Sequence, residues 1–183
     1  MTQDNVVLDA DAMQRTLVRI AHEISERTEV DDQPLAVVGI HRRGAVLARR
    51  IHAHLAEITG TAPEYGELDI SFYRDDIGTR PEQPTVHASD IPFDVDGKTI
   101  VLVDDVLYTG RTVRAAIEAL FDYGRPAKVQ LAVLADRGHR ELPLRPDYVG
   151  KNLPTSRIER VSVRVAELDG EDDVRITIEE VVA

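Results

Sequence analysis

The chain has 183 residues, of which 43% are hydrophobic and 30% charged, a balance that fits a single globular domain with a sizeable core and excludes a disordered chain. It has no cysteine, which rules out disulfides, thiolate metal sites and a cysteine nucleophile, and no apolar run approaches the ~18 residues of a membrane span. The net charge of −11 argues on average against a nucleic-acid partner, yet it is uneven: Ala166 to Ala183 hold seven acids against one arginine, while Arg137 to Arg160 hold six cations against three acids.

The opening stretch MTQDNVVLDADAMQ is acidic and lacks a long apolar centre, so no signal peptide is expected and a cytoplasmic location is. In residues 11–28, Met13, Leu17, Ile20 and Ile24 recur at helical spacing and predict an amphipathic helix. LAVVGI (35–40) is a continuous apolar run, as in a strand buried on both faces. HRRG (41–44) follows as a short loop and AVLARRIHAHLAEI (45–58) as a helix. GELDISFY (66–73) alternates like a strand, and residues 74–89, with two prolines and no periodicity, predict a long loop that could act as a lid. TIVLV (99–103) is the next strand, residues 111–124 a helix ending at Gly124, and KVQLAVLA (128–135) a further strand; the remainder reads as loops and short strands.

Apolar strands alternating with helices predict one domain over residues 1–183, with a mainly parallel central sheet flanked by helices and the acidic segment 166–183 included. Ligands of such folds gather at the carboxyl ends of the strands, where HRRG and the segment after TIVLV both fall. That segment carries the chemistry. TIVLV runs into Asp104 and Asp105, and Val106, Leu107, Tyr108, Thr109, Gly110, Arg111 and Thr112 lead into a helix. A helix N-terminus offers free N–H groups and a partial positive charge to a phosphate. Gly110 lets the backbone approach closely, and Thr109 and Thr112 add hydroxyl donors. Adjacent carboxylates repel unless sugar hydroxyls or a divalent cation compensate. Phosphate and diol together describe a ribose 5-phosphate; the plain alternative is two acids capping a helix.

VLVDDVLYTGRT (101–112) resembles the phosphoribosyl-pyrophosphate (PRPP) loop of the type I phosphoribosyltransferases. GELDISFYRDD (66–76), LYTGRTVRAAIEAL (107–120) and the stretch 124–156, above all DRGHRELP and GKNLPTS, resemble the PyrR family of pyrimidine operon regulators that are also uracil phosphoribosyltransferases; the resemblance spans roughly residues 10–165. It implies the type I fold with a small base-binding hood and a flexible loop. It also implies Mg²⁺ held mainly through substrate with no all-protein site, and conversion of uracil and PRPP to UMP and pyrophosphate.

By the same resemblance, Asp104 and Asp105 take the ribose hydroxyls, and residues 106–112 cradle the 5-phosphate. Arg42, Arg43 and Gly44 match the pyrophosphate loop, with Arg42 where the family often has threonine. Arg74 and Arg80 could close over the pyrophosphate, and Ala135, Asp136 and Arg137 read the uracil edge. Arg19, Arg27, His139, Arg140, Arg145 and Lys151 are the implied face for operon leader mRNA, with UMP or UTP sensed in the nucleotide pocket and a homodimer or homotetramer as the assembly. Tyr148 is the one aromatic of that face, so an aromatic stacking platform is lacking. A purine phosphoribosyltransferase without an RNA role is the alternative reading.

Overall fold

A computed structural model describes residues 5–31, 33–73 and 88–178. In chain order the elements are β1 (Asn5–Leu8), α1 (Ala10–Asp31), β2 (Leu35–Ile40), α2 (Arg43–Thr59), β3 (Glu64–Leu68), β4 (Thr99–Leu107), α3 (Arg111–Phe121), β5 (Lys128–Asp136), β6 (Tyr148–Asn152), β7 (Glu159–Arg164), α4 (Ala166–Asp169) and β8 (Asp173–Ile178). Five strands form an all-parallel sheet in the order β3-β2-β4-β5-β6. A second, antiparallel sheet, β1-β8-β7, joins strands from opposite ends of the described chain. This smaller sheet and α4 form the expected hood, and β7 touches β4.

The two faces of the parallel sheet carry separate cores. Val37, Val101, Val103 and Leu134 pack with α1, α2 and the hood valines Val161, Val163 and Val174. Val38, Ile100, Leu102 and Val133 pack with Val113, Ala116 and Leu120 of α3. Burying each such side chain stabilises the fold by ~1.5–3 kcal/mol relative to exposure. Helix α1 buries its predicted stripe, since Met13, Leu17, Ile20 and Ile24 are at most 1% exposed. Its start is capped by Asp9, whose carboxylate accepts the Ala12 N–H at 2.8 Å.

Several boundaries differ from those read in the sequence: α2 starts at Arg43, so Arg43 and Gly44 of the expected loop lie on the helix, and three other differences follow. The strand expected over 66–73 begins at Glu64 and ends at Leu68. It stops because Asp69 Oδ1 accepts the Ser71 N–H at 2.7 Å and the Ser71 hydroxyl at 2.5 Å, forming a turn. The helix expected to run to Gly124 ends at Phe121. Strand β4 continues past its apolar run to Leu107, so Asp104 and Asp105 lie on the strand rather than after it. The ladder to β5 carries it on, with Asp104 opposite Val133 and Leu107 opposite Asp136. Residues 74–87, including Arg74 and Arg80, lie outside the described residues. No helix among the described residues is long and apolar enough to cross a membrane.

Candidate functional site

The carboxyl end of β4 opens into a cavity of about 300 Å³ lined by Asp104, Val106, Leu107, Tyr108, Thr109, Gly110, Arg111, Thr112, Val113 and Glu141. Asp104 is 6% exposed and Asp105 half-buried. Each carboxylate takes the N–H of the next residue: Asp104 Oδ1 accepts from Asp105 at 2.9 Å and Asp105 Oδ1 from Val106 at 2.8 Å. These bonds fix the two side chains against the backbone. Gly110 caps α3 at φ +94°, a conformation that favours glycine, and turns the chain from the strand into the helix. The Thr109 hydroxyl accepts the Arg111 N–H at 3.3 Å. The strand end, tight turn and helix start thus line one cavity, to which Asp104 and residues 106–112 contribute, while Asp105 is not among its lining residues.

A second segment folds over this cavity. The N–H groups of Glu141 and Leu142 both donate to the Thr109 carbonyl, at 2.9 and 3.1 Å. Arg111 Nε donates to Glu141 Oε2 at 2.7 Å, so the one cation of the turn is already paired and an anion there would depend on backbone N–H groups. Glu141 is absent from the residues expected at the site. Its isolated position in DRGHRELP carries no signal until the fold brings it beside Arg111.

The HRRG turn lies beside the acid pair, and its His41–Arg42 peptide bond is cis. A Cβ on Gly44 would stand 2.6 Å from the Val103 carbonyl and 3.1 Å from Asp104 Cα, so this glycine allows α2 to start against the acids. Arg42 is exposed. Arg43 is held by Asp169 of α4 through Nη2–Oδ1 at 2.6 Å and Nε–Oδ2 at 3.1 Å. His41 Nε2 lies 3.1 Å from Glu67, a residue of β3 that also accepts from Arg49 Nε at 2.9 Å and from the Tyr65 hydroxyl at 2.7 Å. Burial pushes the Glu67 carboxyl up, but the Arg49 and Tyr65 hydrogen bonds outweigh it and leave the group below its usual range.

At the end of β5, Ala135 is buried, Asp136 half-buried and Arg137 8% exposed. The Arg137 guanidinium lies 4.1 Å from the Tyr108 ring centroid and donates from Nη2 to the Glu159 carbonyl at 2.6 Å. The expected base-reading segment therefore joins the PRPP-like turn on one side and the start of the hood on the other.

Residues 5–167 match the phosphoribosyl transferase domain family. The chain is 62% identical over 164 residues to the Bifunctional protein PyrR of Roseiflexus sp. (strain RS-1), covering 90% of this chain and 89% of that protein. The chain belongs to the PyrR family. Other PyrR relatives are those of Elusimicrobium minutum (strain Pei191), 53% identical over 175 residues with 96% of this chain and 97% of that protein covered, and of Listeria monocytogenes serotype 4b (strain CLIP80459), 54% identical over 179 residues with the same coverage. Among solved structures, the hypoxanthine phosphoribosyltransferase of Trypanosoma cruzi superposes with a TM-score of 0.72 at 17% identity, covering 96% of this chain and 97% of that one. That of Staphylococcus aureus gives 0.69 at 19%, covering 98% of this chain and 94% of that one. These likenesses establish the type I phosphoribosyltransferase fold, and the resemblance read from the sequence is borne out.

The cations expected to face RNA in this PyrR-family chain fall into two groups. Arg140 is engaged within the chain through all three guanidinium nitrogens: Nε with the Leu144 carbonyl at 3.0 Å, Nη1 with the Tyr108 carbonyl at 2.8 Å, and Nη2 with Asp136 at 2.5 Å. His139 Nε2 contacts the Thr155 carbonyl at 2.5 Å, and Arg19 donates from Nη2 to the Val149 and Gly150 carbonyls at 3.1 and 2.6 Å. Arg27, Arg145 and Lys151 are exposed; Lys151 Nζ reaches the Val7 carbonyl at 3.1 Å. Tyr148, the one aromatic expected on this face, is fully buried beneath Arg27, whose guanidinium lies 4.9 Å from its ring, so it offers no stacking surface.

The described part of the acidic segment, residues 166–178, is partnered rather than free. Arg50 bonds Glu167 and Asp172, Arg43 bonds Asp169, and Arg164 bonds Asp173 and Glu171. Five of the seven acids counted against a basic face are thus tied to arginines of α2 and β7, and Glu179 and Glu180 lie outside the described residues.

Proposed function

We propose that this protein transfers the phosphoribosyl group of PRPP to uracil, giving UMP and pyrophosphate, and that it also binds pyrimidine operon leader mRNA in response to uridine nucleotides. The carrying observation is identity of 53–62% over nearly the whole chain with bifunctional PyrR proteins. A cavity that sets the fixed Asp104 carboxylate, next in the chain to Asp105, beside a helix start is consistent with it. Residues 1–183 act as one phosphoribosyltransferase domain, in the cytoplasm, as a homodimer or homotetramer.

In this reading the C1′–pyrophosphate bond of PRPP breaks as uracil N1, losing its proton, bonds to C1′. Asp104 and Asp105 receive the ribose hydroxyls, the turn Val106–Thr112 holds the 5-phosphate, and Arg42, Arg43 and Gly44 meet the pyrophosphate. Ala135, Asp136 and Arg137 set the base over C1′. Orientation and electrostatic stabilisation supply the catalysis. Mg²⁺ would be held mainly through the substrate, with Asp104 and Asp105 as the nearby carboxylates. When bound, Mg²⁺ offsets the charge of the departing pyrophosphate.

RNA phosphates would meet the exposed Arg27, Arg145 and Lys151 through a salt-dependent attraction. The decisive test supplies PRPP and Mg²⁺ with uracil, hypoxanthine, guanine, adenine or orotate in turn. UMP formation from uracil is expected; exclusive use of a purine would establish the alternative. A gel shift with the operon leader, with and without UMP, tests the second role, and an RNA affinity indifferent to UMP would remove the sensor.

A further inference from the structure

Helix α2 presents two arginines seven residues apart on one face, Arg43 and Arg50, and both meet the segment that carries α4. Their surroundings differ. Arg50 lies between two carboxylates, with Nη2 at 2.5 Å from Glu167 and 2.8 Å from Asp172, and Nε and Nη1 also bonded to that pair. It fastens the hood to α2. Arg43 opens the helix, next to the exposed Arg42 and to Gly44, which packs close to Asp104. Only its Nε and Nη2 are bonded, both to Asp169, and Nη1 has no partner among the described residues. Asp169 is itself immobilised: Oδ2 accepts the Val165 N–H at 2.9 Å, and its own N–H donates to the Val165 carbonyl at 2.8 Å.

A guanidinium gripped along its Nε/Nη2 edge keeps its other edge for a second anion, in a fixed plane. We infer that Asp169 is a positioning residue for the pyrophosphate end of the substrate: it holds Arg43 so that Nη1 faces the leaving group, and it thereby links the hood to the HRRG turn. This rests on the assignment of Arg43 to pyrophosphate made above. Two opposing effects decide its sign. The Asp169 carboxylate lessens the net positive charge an anion meets, but the pair is partly solvated, with side chains 38% and 18% exposed, so screening keeps that loss small. Fixing a long side chain before binding removes an ordering cost that amounts to roughly three- to tenfold in affinity. Ordering wins, and Asp169 favours pyrophosphate binding.

The test compares Asp169→Asn, Arg43→Ala and Glu167→Gln with the unaltered protein. It measures the affinity of magnesium pyrophosphate and of UMP by calorimetry and KM for PRPP and for uracil by kinetics. Asp169→Asn should weaken pyrophosphate and raise KM for PRPP by roughly three- to tenfold. UMP affinity and KM for uracil should not move, since neither ligand carries the group that Arg43 meets. Glu167→Gln loosens the hood at Arg50 and should leave pyrophosphate affinity unchanged. If Asp169→Asn does not fold, Asp169→Glu, which keeps the charge and displaces the carboxylate by one methylene, should show the same selective loss. Unchanged or tighter pyrophosphate binding in the Asp169 variant, with Arg43→Ala weakened, overturns the inference and spares the role of Arg43. Equal loss in Glu167→Gln also overturns it, because general loosening of the hood would then suffice. Unchanged pyrophosphate binding in Arg43→Ala overturns the pyrophosphate assignment itself.

Discussion

Arg140 donates from Nη1 to the Tyr108 carbonyl at 2.8 Å, stitching the segment after β5 to the turn that follows the acid pair. The same guanidinium pairs with Asp136, so one side chain spans the proposed phosphate cradle and the proposed base-reading segment. Arg140→Ala should therefore lower kcat/KM for PRPP by at least about tenfold and destabilise the protein by about 1–3 kcal/mol, because the Asp136 carboxylate loses its partner in a half-buried site. Arg140→Lys should recover only part of the loss, since an ammonium cannot reproduce the planar fork. Steady-state kinetics with a urea melt checks both, and full activity in the alanine variant would refute the stitching role.

Asp105→Asn should lower kcat/KM by about a hundredfold or more, the scale of losing one preorganised electrostatic contact at a developing charge. Asparagine keeps the size of the side chain and can still accept the Val106 N–H, so the melting temperature should move by less than about 4 °C. A folded variant with undiminished turnover would remove Asp105 from the ribose contacts.

Gly44→Ala tests the contact between the HRRG turn and the acid pair. The added methyl would stand 2.6 Å from the Val103 carbonyl, so α2 must shift away from β4. A cost of about 1–3 kcal/mol is expected, together with a raised KM for PRPP, measurable by denaturant titration and kinetics.

Acid sensitivity follows from the arginines paired with the hood carboxylates. Hydrogen bonds from Arg50 hold the Glu167 and Asp172 carboxyls below their usual range, Arg43 does so for Asp169, and Arg164 for Asp173. A carboxyl with a depressed folded pKa binds fewer protons folded than unfolded, so its contribution is complete above the unfolded value and is lost as pH falls through the folded one. Stability should be flat above about pH 5 and fall steeply towards about pH 3. Arg50→Met should reduce that slope, which denaturant melts across the range would show.

Lys151→Ala combined with Arg145→Ala should spare UMP synthesis and weaken leader RNA binding. Two lost phosphate contacts should reduce the slope of log affinity against log salt by about 1.4 if the contacted RNA is single-stranded. Loss of both activities together would show that this surface is not a separate RNA face.

Much of this frame is legible along the chain, and what is hidden has a physical cause. The apolar runs at 35–40, 99–103 and 128–135 mark three central strands because strands buried on both faces are apolar throughout. The extension of β4 through Asp104 and Asp105 is not visible, because charge conventionally ends a strand and only pairing with β5 continues it. Strand β1, four residues of NVVL, is too short to show a period. The acidic segment reads as a free tail because its partners Arg43 and Arg50 precede it by more than a hundred residues. Arg140 reads as one of several surface cations; only the fold brings the Tyr108 carbonyl and the Asp136 carboxylate within reach of it.

The pairing of β1 with β8 sets Asn5 against Ile176 and Val6 against Arg175. On the ribosome, the five strands of the parallel sheet are all synthesised before the middle strand of the hood exists. The β1 segment must therefore wait without its strand partner while the parallel sheet assembles. Such long-range closure is slow, so activity in a nascent chain should lag behind the burial of its core.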